Sequence, residues 1–186
     1  MVGSTAQVGK FDQIFDRHHE AVQRYCLRRL PWHEVNDVVA DVFLVAWRRI
    51  EEAPESRELL WLYGIAKNVI RNAHRSLRRQ DSLRRRVSAQ ERRSEPSAEV
   101  HVVRSFEERN VLDALASLRV SDQEILRLKC WEQLGNGEIA ALLGISPHAV
   151  DMRLSRARRQ LERALARADS SHPAQVSRPV TRGGER

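Results

Sequence analysis

The sequence predicts an all-α protein, built as two small helical modules joined by a flexible polar linker. Three observations carry that expectation. The first is composition. In 186 residues there are only 8 Gly, 6 Pro and 5% aromatics, while Leu, Ala, Arg, Glu and Val are plentiful, a mix that favours helices over sheets. The second is periodicity, because the apolar residues recur at helical spacing instead of alternating. The third is a stretch from about Asp81 to Glu99 where the periodicity dissolves into Arg, Ser, Glu and Gln and Pro96 interrupts, as expected of an extended or disordered tether.

The first helix is expected over Phe11–Leu30, where Phe11, Ile14, Phe15, His18, Val22, Tyr25, Cys26 and Arg29 share a face. Pro31 ends it, since the residue before a proline avoids the helical region. The second is expected over Glu34–Ile50, with Val35, Val38, Val39, Val42, Phe43, Ala46 and Ile50 as its stripe. Its β-branched residues would suit a strand, but the spacing is helical and the run is too long for one. A loop, Glu51–Ser56, precedes the third helix, which runs from Arg57 as far as Arg79 on Leu59, Leu62, Tyr63, Ala66, Val69, Ile70, Ala73 and Leu77, with Trp61 beside the stripe.

Beyond the linker a second periodic region opens at Phe106, with Val111, Leu112, Leu115 and Leu118. Ser121 and Glu124 have the S-x-x-E spacing of a capping box ahead of Ile125, Leu126, Leu128, Cys130 and Trp131. Then comes EIAALLGISPHAVDMRLSRARRQL, Glu138–Leu161. Asn136 is an expected N-cap, and Ile139, Ala140, Leu142 and Leu143 would face inward. Gly144 would supply the tight backbone that ends that helix. Ser146 is the next N-cap, with Pro147 at the first helical position, where its missing N–H costs nothing. Val150 and Leu154 would anchor the last helix. This is the grammar of a helix-turn-helix, whose second helix suits a major groove. The tail after Ala168 has few core-forming residues. The domain limits read as an N-terminal tail 1–10, modules 11–80 and 106–167, a linker 81–105 and a tail 168–186.

Charge narrows the function. The net charge of +7 calls for a polyanionic partner, and its distribution is uneven. Arginines crowd Arg71–Arg93 and again Arg153–Arg167, whereas acids dominate Glu34–Glu58. Two basic blocks and one acidic block suggest two nucleic-acid contacts and one protein contact. Catalytic signatures are absent: there is no CxxC pair, HExxH, phosphate loop or GxSxG elbow. His18 and His19 are adjacent and cannot ligate a metal from one helix face, so no cofactor, metal or small-molecule substrate is expected. Without a signal peptide or an apolar run long enough to span a bilayer, no membrane insertion is expected. Cys26 and Cys130 read as buried, reduced thiols of a cytoplasmic protein.

Taken together, these motifs resemble the extracytoplasmic-function group of bacterial RNA polymerase sigma factors. DVVADVFLVAWRRI (Asp37–Ile50) is similar to the group's polymerase-binding helix. WLYGIAKNVIRNAHRSLRR (Trp61–Arg79) is similar to its promoter-melting helix, and Glu138–Leu161 to its helix-turn-helix. A lone helix-turn-helix is a common pattern; three motifs in the group's order are specific. The resemblance implies a region 2 module at 11–80 and a region 4 module at 106–167. It implies polymerase contacts at Asp37, Val38, Asp41, Val42, Leu44, Trp47, Arg48 and Arg49, with Trp47 divided between anchor and core. The loop Glu51–Arg57 with Asn68 would capture an extruded base of the minus-ten element. Lys67, Arg71, Asn72, Arg75, Arg78 and Arg79 would hold the separated strand, with Trp61 and Tyr63 divided between stacking on bases and core, which their helical spacing beside apolar neighbours favours. The minus-thirty-five element would meet His148, Asp151, Met152, Arg153, Ser155, Arg156, Arg158 and Arg159.

In one respect the sequence departs from the group. Asp151 and Met152 stand where many members carry a basic residue followed by a small polar one, so a close relative's upstream sequence cannot be transferred. The expected partners are core RNA polymerase, promoter DNA and an anti-sigma factor, with no catalysis by the chain itself. The competing reading is a conventional helix-turn-helix regulator that binds an operator without polymerase. That reading leaves the acidic helix and Trp61–Arg79 without a purpose.

Overall fold

The computed structural model describes residues 5–87 and 106–170, with side chains over 5–75 and 110–167. Most of the expected linker and tail, residues 88–105 and 171–186, lies outside the described residues. Seven α-helices follow in order: α1 (Thr5–Leu27), α2 (Trp32–Arg48), α3 (Glu58–Val87), α4 (Phe106–Ala116), α5 (Val120–Cys130), α6 (Asn136–Leu143) and α7 (Pro147–Ser170). A short 3-10 turn, Ile50–Glu52, joins α2 to the loop before α3. The described residues contain no strand, and they fall into two compact units.

The first unit is a three-helix module in which α1, α2 and α3 pack on one another. Ile14, Val22, Tyr25 and Cys26 of α1 meet Val35, Val38, Val39, Val42, Phe43 and Ala46 of α2 and Leu62, Tyr63, Ile65, Ala66 and Ile70 of α3, all of them buried. Full burial of a Val, Leu, Ile or Phe among them contributes about 1.5–3 kcal/mol. Tyr25 and Tyr63 stack at 4.7 Å between centroids, and the Arg29 guanidinium lies 3.5 Å over the Tyr25 ring. The two histidines part company. His18 faces Glu58 at 3.1 Å, where Arg17 also binds at 2.8 Å, so α1 grips the start of α3. His19 stacks on Phe43 at 5.7 Å.

Two boundaries differ from expectation. Helix α1 starts at Thr5, inside the expected tail, because Gln7 reaches Glu51 and Lys10 Nζ donates to the Ala53 carbonyl at 3.1 Å. Helix α3 continues to Val87, past the expected start of the linker at Asp81. An established helix propagates cheaply through Arg, Gln, Leu and Ser, which need no apolar face to continue it.

The second unit packs α7 against α4 and α5. Ala114, Leu115, Leu118, Ile125, Leu126, Leu128, Ile139, Ala140, Val150, Leu154 and Ala157 are buried in it. The capping box expected at Ser121 and Glu124 does not form. Helix α5 begins two residues earlier, at Val120, with Arg119 as N-cap and no side-chain cap bond. Gln123 instead caps the end of α4, donating to the carbonyls of Ala116 at 3.1 Å and Leu118 at 2.9 Å. Cys130 is exposed, contrary to expectation, because it is the last residue of α5, where the chain turns away.

Candidate nucleic-acid interface

Caps and turns set the helix-turn-helix. The cap of α6 is Gly135, one residue before the expected Asn136. Its carbonyl accepts the Ile139 N–H at 2.9 Å, and its own N–H donates to Glu138 Oε2 at 2.7 Å. Gly144 takes a left-handed φ of +67° at the end of α6. Ser146 Oγ accepts the Ala149 N–H at 3.2 Å, so α7 opens with its cap and Pro147 as expected.

Along α7, His148, Asp151, Met152, Ser155, Arg156, Arg158 and Arg159 are exposed and Arg153 is half-buried. Positions 148, 151, 152, 155, 156 and 159 share one face at helical spacing. Met152 is 60% exposed, which suits an apolar contact to a base edge. Two of the expected DNA contacts carry internal bonds. Asp151 accepts from the Asn136 amide, whose oxygen accepts from Lys129 Nζ at 3.1 Å. The unusual carboxylate therefore closes a polar chain across α5, α6 and α7 in place of standing free for a base edge. Arg156 Nη2 donates to Asp122 Oδ1 at 2.8 Å, and Asp122 is fully buried.

In the first module, the loop before α3 is held from several directions. Arg49 forks onto Glu52, its Nε 3.1 and 3.0 Å from the two carboxylate oxygens. That hydrogen bond holds the Glu52 carboxyl below its usual range and raises the Arg49 guanidinium. Arg49 is thus engaged within its own loop instead of standing free for a partner. Ala53 is buried, while Pro54, Glu55, Ser56 and Arg57 are exposed. On α3, Asn68, Arg71, Asn72 and Arg75 are all exposed at a spacing of three and four, forming one polar basic face. Arg71 Nη2 donates to Asn68 Oδ1 at 3.1 Å. Lys67 and Trp61 are half-buried. Tyr63 is buried against Tyr25, so it is a core residue and unavailable for base stacking. Arg78 and Arg79 continue the α3 backbone, and their side chains lie outside the described residues.

Helix α2 separates two roles that the sequence reading merged. Asp37, Asp41, Leu44 and Arg48 are exposed at spacings of four, three and four, on one outward ridge. Val38 and Val42 point the other way, 6% and 0% exposed, and pack the core. They cannot offer apolar contact to a partner without unfolding the module. Trp47 is half-buried and meets the edge of Phe11 at 5.2 Å.

Comparison with known proteins decides the family. Residues 14–80 match Sigma-70 region 2, and residues 108–161 match Sigma-70, region 4. The RNA polymerase sigma factor CnrH of Cupriavidus metallidurans is 30% identical over 169 residues, covering 86% of this chain and 88% of that protein. The chain is a sigma factor. The chain is also similar to the ECF RNA polymerase sigma factor BldN of Streptomyces coelicolor, as the motifs' resemblance to the extracytoplasmic-function group leads one to expect. That protein is 28% identical over 166 residues, with 86% of this chain and 63% of BldN covered. The fold agrees: the structure of CnrH in complex with the cytosolic domain of CnrY is 27% identical, with a TM-score of 0.60, and the match covers 87% of this chain and 89% of that one. A region 2 match leaves the operator-binding regulator reading with no account of the first module.

Sequence reasoning missed four anchors of this sigma factor: Lys10 on Ala53, Glu58 with His18 and Arg17, Asp122 with Arg156, and Lys129 with Asn136 and Asp151. One carried a readable signal. Asp122 shares the inward register of Ile125, Leu126 and Lys129, and a carboxylate in an apolar stripe calls for a buried cation. The others join one element to another through contacts that no local pattern marks.

Proposed function

We propose that this sigma factor divides promoter engagement between its modules and docks on core RNA polymerase through the outward ridge of α2. Asp37, Asp41 and Arg48 meet a charged surface there, and Leu44 supplies the desolvated apolar contact that an interface needs. The loop Glu51–Arg57 and Asn68 capture a base extruded from the minus-ten element. Extrusion costs a few kcal/mol, which a pocket of donors and acceptors offsets. Arg71, Asn72 and Arg75, with Lys67, Arg78 and Arg79, hold the backbone of the separated strand. Helix α7 reads the upstream duplex, with His148, Met152, Ser155 and Arg156 nearest the base edges and Arg153, Arg158 and Arg159 on phosphates. The chain contributes binding and strand separation, and the polymerase does the chemistry in the cytoplasm.

One observation carries this reading. Within one chain, a ridge of exposed acids and Leu44 on α2 is followed by a polar basic face on α3 and a basic recognition helix. Control by a second protein, an anti-sigma factor that covers these surfaces, belongs to the same reading. Its support is the similar CnrH, solved with the cytosolic domain of CnrY. No helix of the described residues is long and apolar enough to cross a membrane. The test is reconstitution with core polymerase, followed by sequencing of transcript 5′ ends. Starts downstream of one shared pair of elements are expected. Tight operator-like binding by the chain alone, with no polymerase-dependent starts, would overturn the proposal.

A further inference from the structure

Asp122 is the one buried charged residue among the described side chains. It sits in the first turn of α5, its Oδ1 bound to Arg156 Nη2 at 2.8 Å. Its second oxygen, Oδ2, has no hydrogen-bond partner among the described residues. Arg156 is different in kind, since its side chain is 48% exposed. A guanidinium has five N–H donors in a rigid fork, and one bond leaves the rest of the fork for another acceptor. The pair therefore joins a fully desolvated anion to a cation that stands half in water on the face of α7.

A carboxylate buried without full satisfaction is a costly feature, and an apolar side chain would fill its place at least as well. What it does here is restrict Arg156. An unrestrained arginine on an exposed helix face samples many rotamers and loses that freedom on binding. One already held by a buried carboxylate has lost it beforehand. The same carboxylate opposes the guanidinium's charge, which weakens indiscriminate attraction to phosphates. Both effects act toward selectivity.

We propose that Asp122 is a positioning residue for DNA reading: from the interior it holds the Arg156 fork on the recognition face, raising discrimination at the cost of non-specific affinity. The proposal rests on the reading of α7 as the upstream-element helix.

The test uses the full chain assembled with core polymerase. Two duplex probes are compared: one carrying the upstream element that the wild-type chain selects from a randomised pool, the other a scrambled duplex of equal length. The variants are D122N, which keeps the shape, D122A, which frees Arg156, and R156K, which keeps the charge but removes the fork. D122A should lower affinity for the selected duplex by roughly two- to tenfold, the range for immobilising one rotamer-rich side chain. Affinity for the scrambled duplex should stay level or rise, and D122N should lie between D122A and wild type. Thermal melting is read alongside, because a merely structural role would move stability and both affinities together. An unchanged ratio of selected to scrambled affinity in both Asp122 variants, with a reduced ratio in R156K, overturns the positioning role alone. A ratio unmoved by all three variants overturns the reading of α7 and this proposal with it.

Discussion

Cys26 shows how burial sets the chemistry of a single side chain. Desolvation pushes its thiol up from 9.0 to about 11, with the nearby Arg29 charge pulling slightly the other way. At neutral pH it is therefore protonated, enclosed and inert, since the thiolate is the reactive form. Cys130, exposed at the end of α5, is open to reagents. A thiol-reactive dye under native conditions should label one site, Cys130, and C130S should abolish labelling; rapid labelling of Cys26 would contradict the packed core. The sign of the pH effect follows from linkage. The folded state keeps its proton to higher pH than the unfolded chain, so the stability tied to Cys26 is complete below pH 9 and is lost as pH rises from there through about 11. Urea midpoints between pH 8 and 11 should fall less steeply in C26A than in the wild type.

At the scale of elements, α2 and the α6–α7 turn make opposite kinds of demand on sequence. Along α2 the inward and outward registers are independent. L44R should weaken binding to core polymerase while moving the melting temperature by no more than about 2–4 °C, a surface change being worth at most about 0.5 kcal/mol. V42A should do the reverse, costing about 2 kcal/mol of stability through lost burial and a cavity. Core-binding titrations and thermal melts on both variants check this, and a shared loss in one assay would mean that the registers are not separate. In the turn, backbone rules. A Cβ at Gly144 would meet nothing within 4 Å, yet its φ of +67° penalises any side chain. G144A should therefore cost about 1–2 kcal/mol. Gly137 also has open space but sits in α6 with no such φ, so G137A should add about 0.5–1 kcal/mol. Thermal melts of equal sign for the two would refute the assignment. The same contrast explains what the sequence disclosed. Helix count, the cap at Ser146 and the turn at Gly144 were legible because period, cap and glycine rules are local. The start of α1 at Thr5 and the roles of Gln123 and Asp151 were not, because each depends on a partner supplied by another element.

Considered as a whole molecule, the proposed function puts strand capture and duplex reading on separate modules, and this separation is testable. N68A should leave engagement of the upstream duplex intact and slow formation of the open complex. A template with a pre-melted bubble should restore it only in part, since base capture is still required. R156K should instead weaken upstream engagement by about 1 kcal/mol, the lower end for losing a bidentate base contact, and should leave opening on the bubble nearly normal. Permanganate footprinting and an upstream-duplex binding assay distinguish the two. Equal impairment of one step by both variants would defeat the division.

The bonds that tie α1 to the segment leading into α3 also have a consequence in time. Lys10 waits for Ala53, and both Arg17 and His18 wait for Glu58, sequence separations of 43, 41 and 40 residues. At about 5–20 residues per second, a ribosome needs roughly 2–8 seconds to supply the later partner. For that interval α1 has at most α2 to pack on, and Tyr25, which stacks on Tyr63 of α3, stays uncovered on that side. The earliest helix to be synthesised is thus among the last to be completed, and synthesis at limiting chaperone capacity should leave its α3-facing side exposed longest.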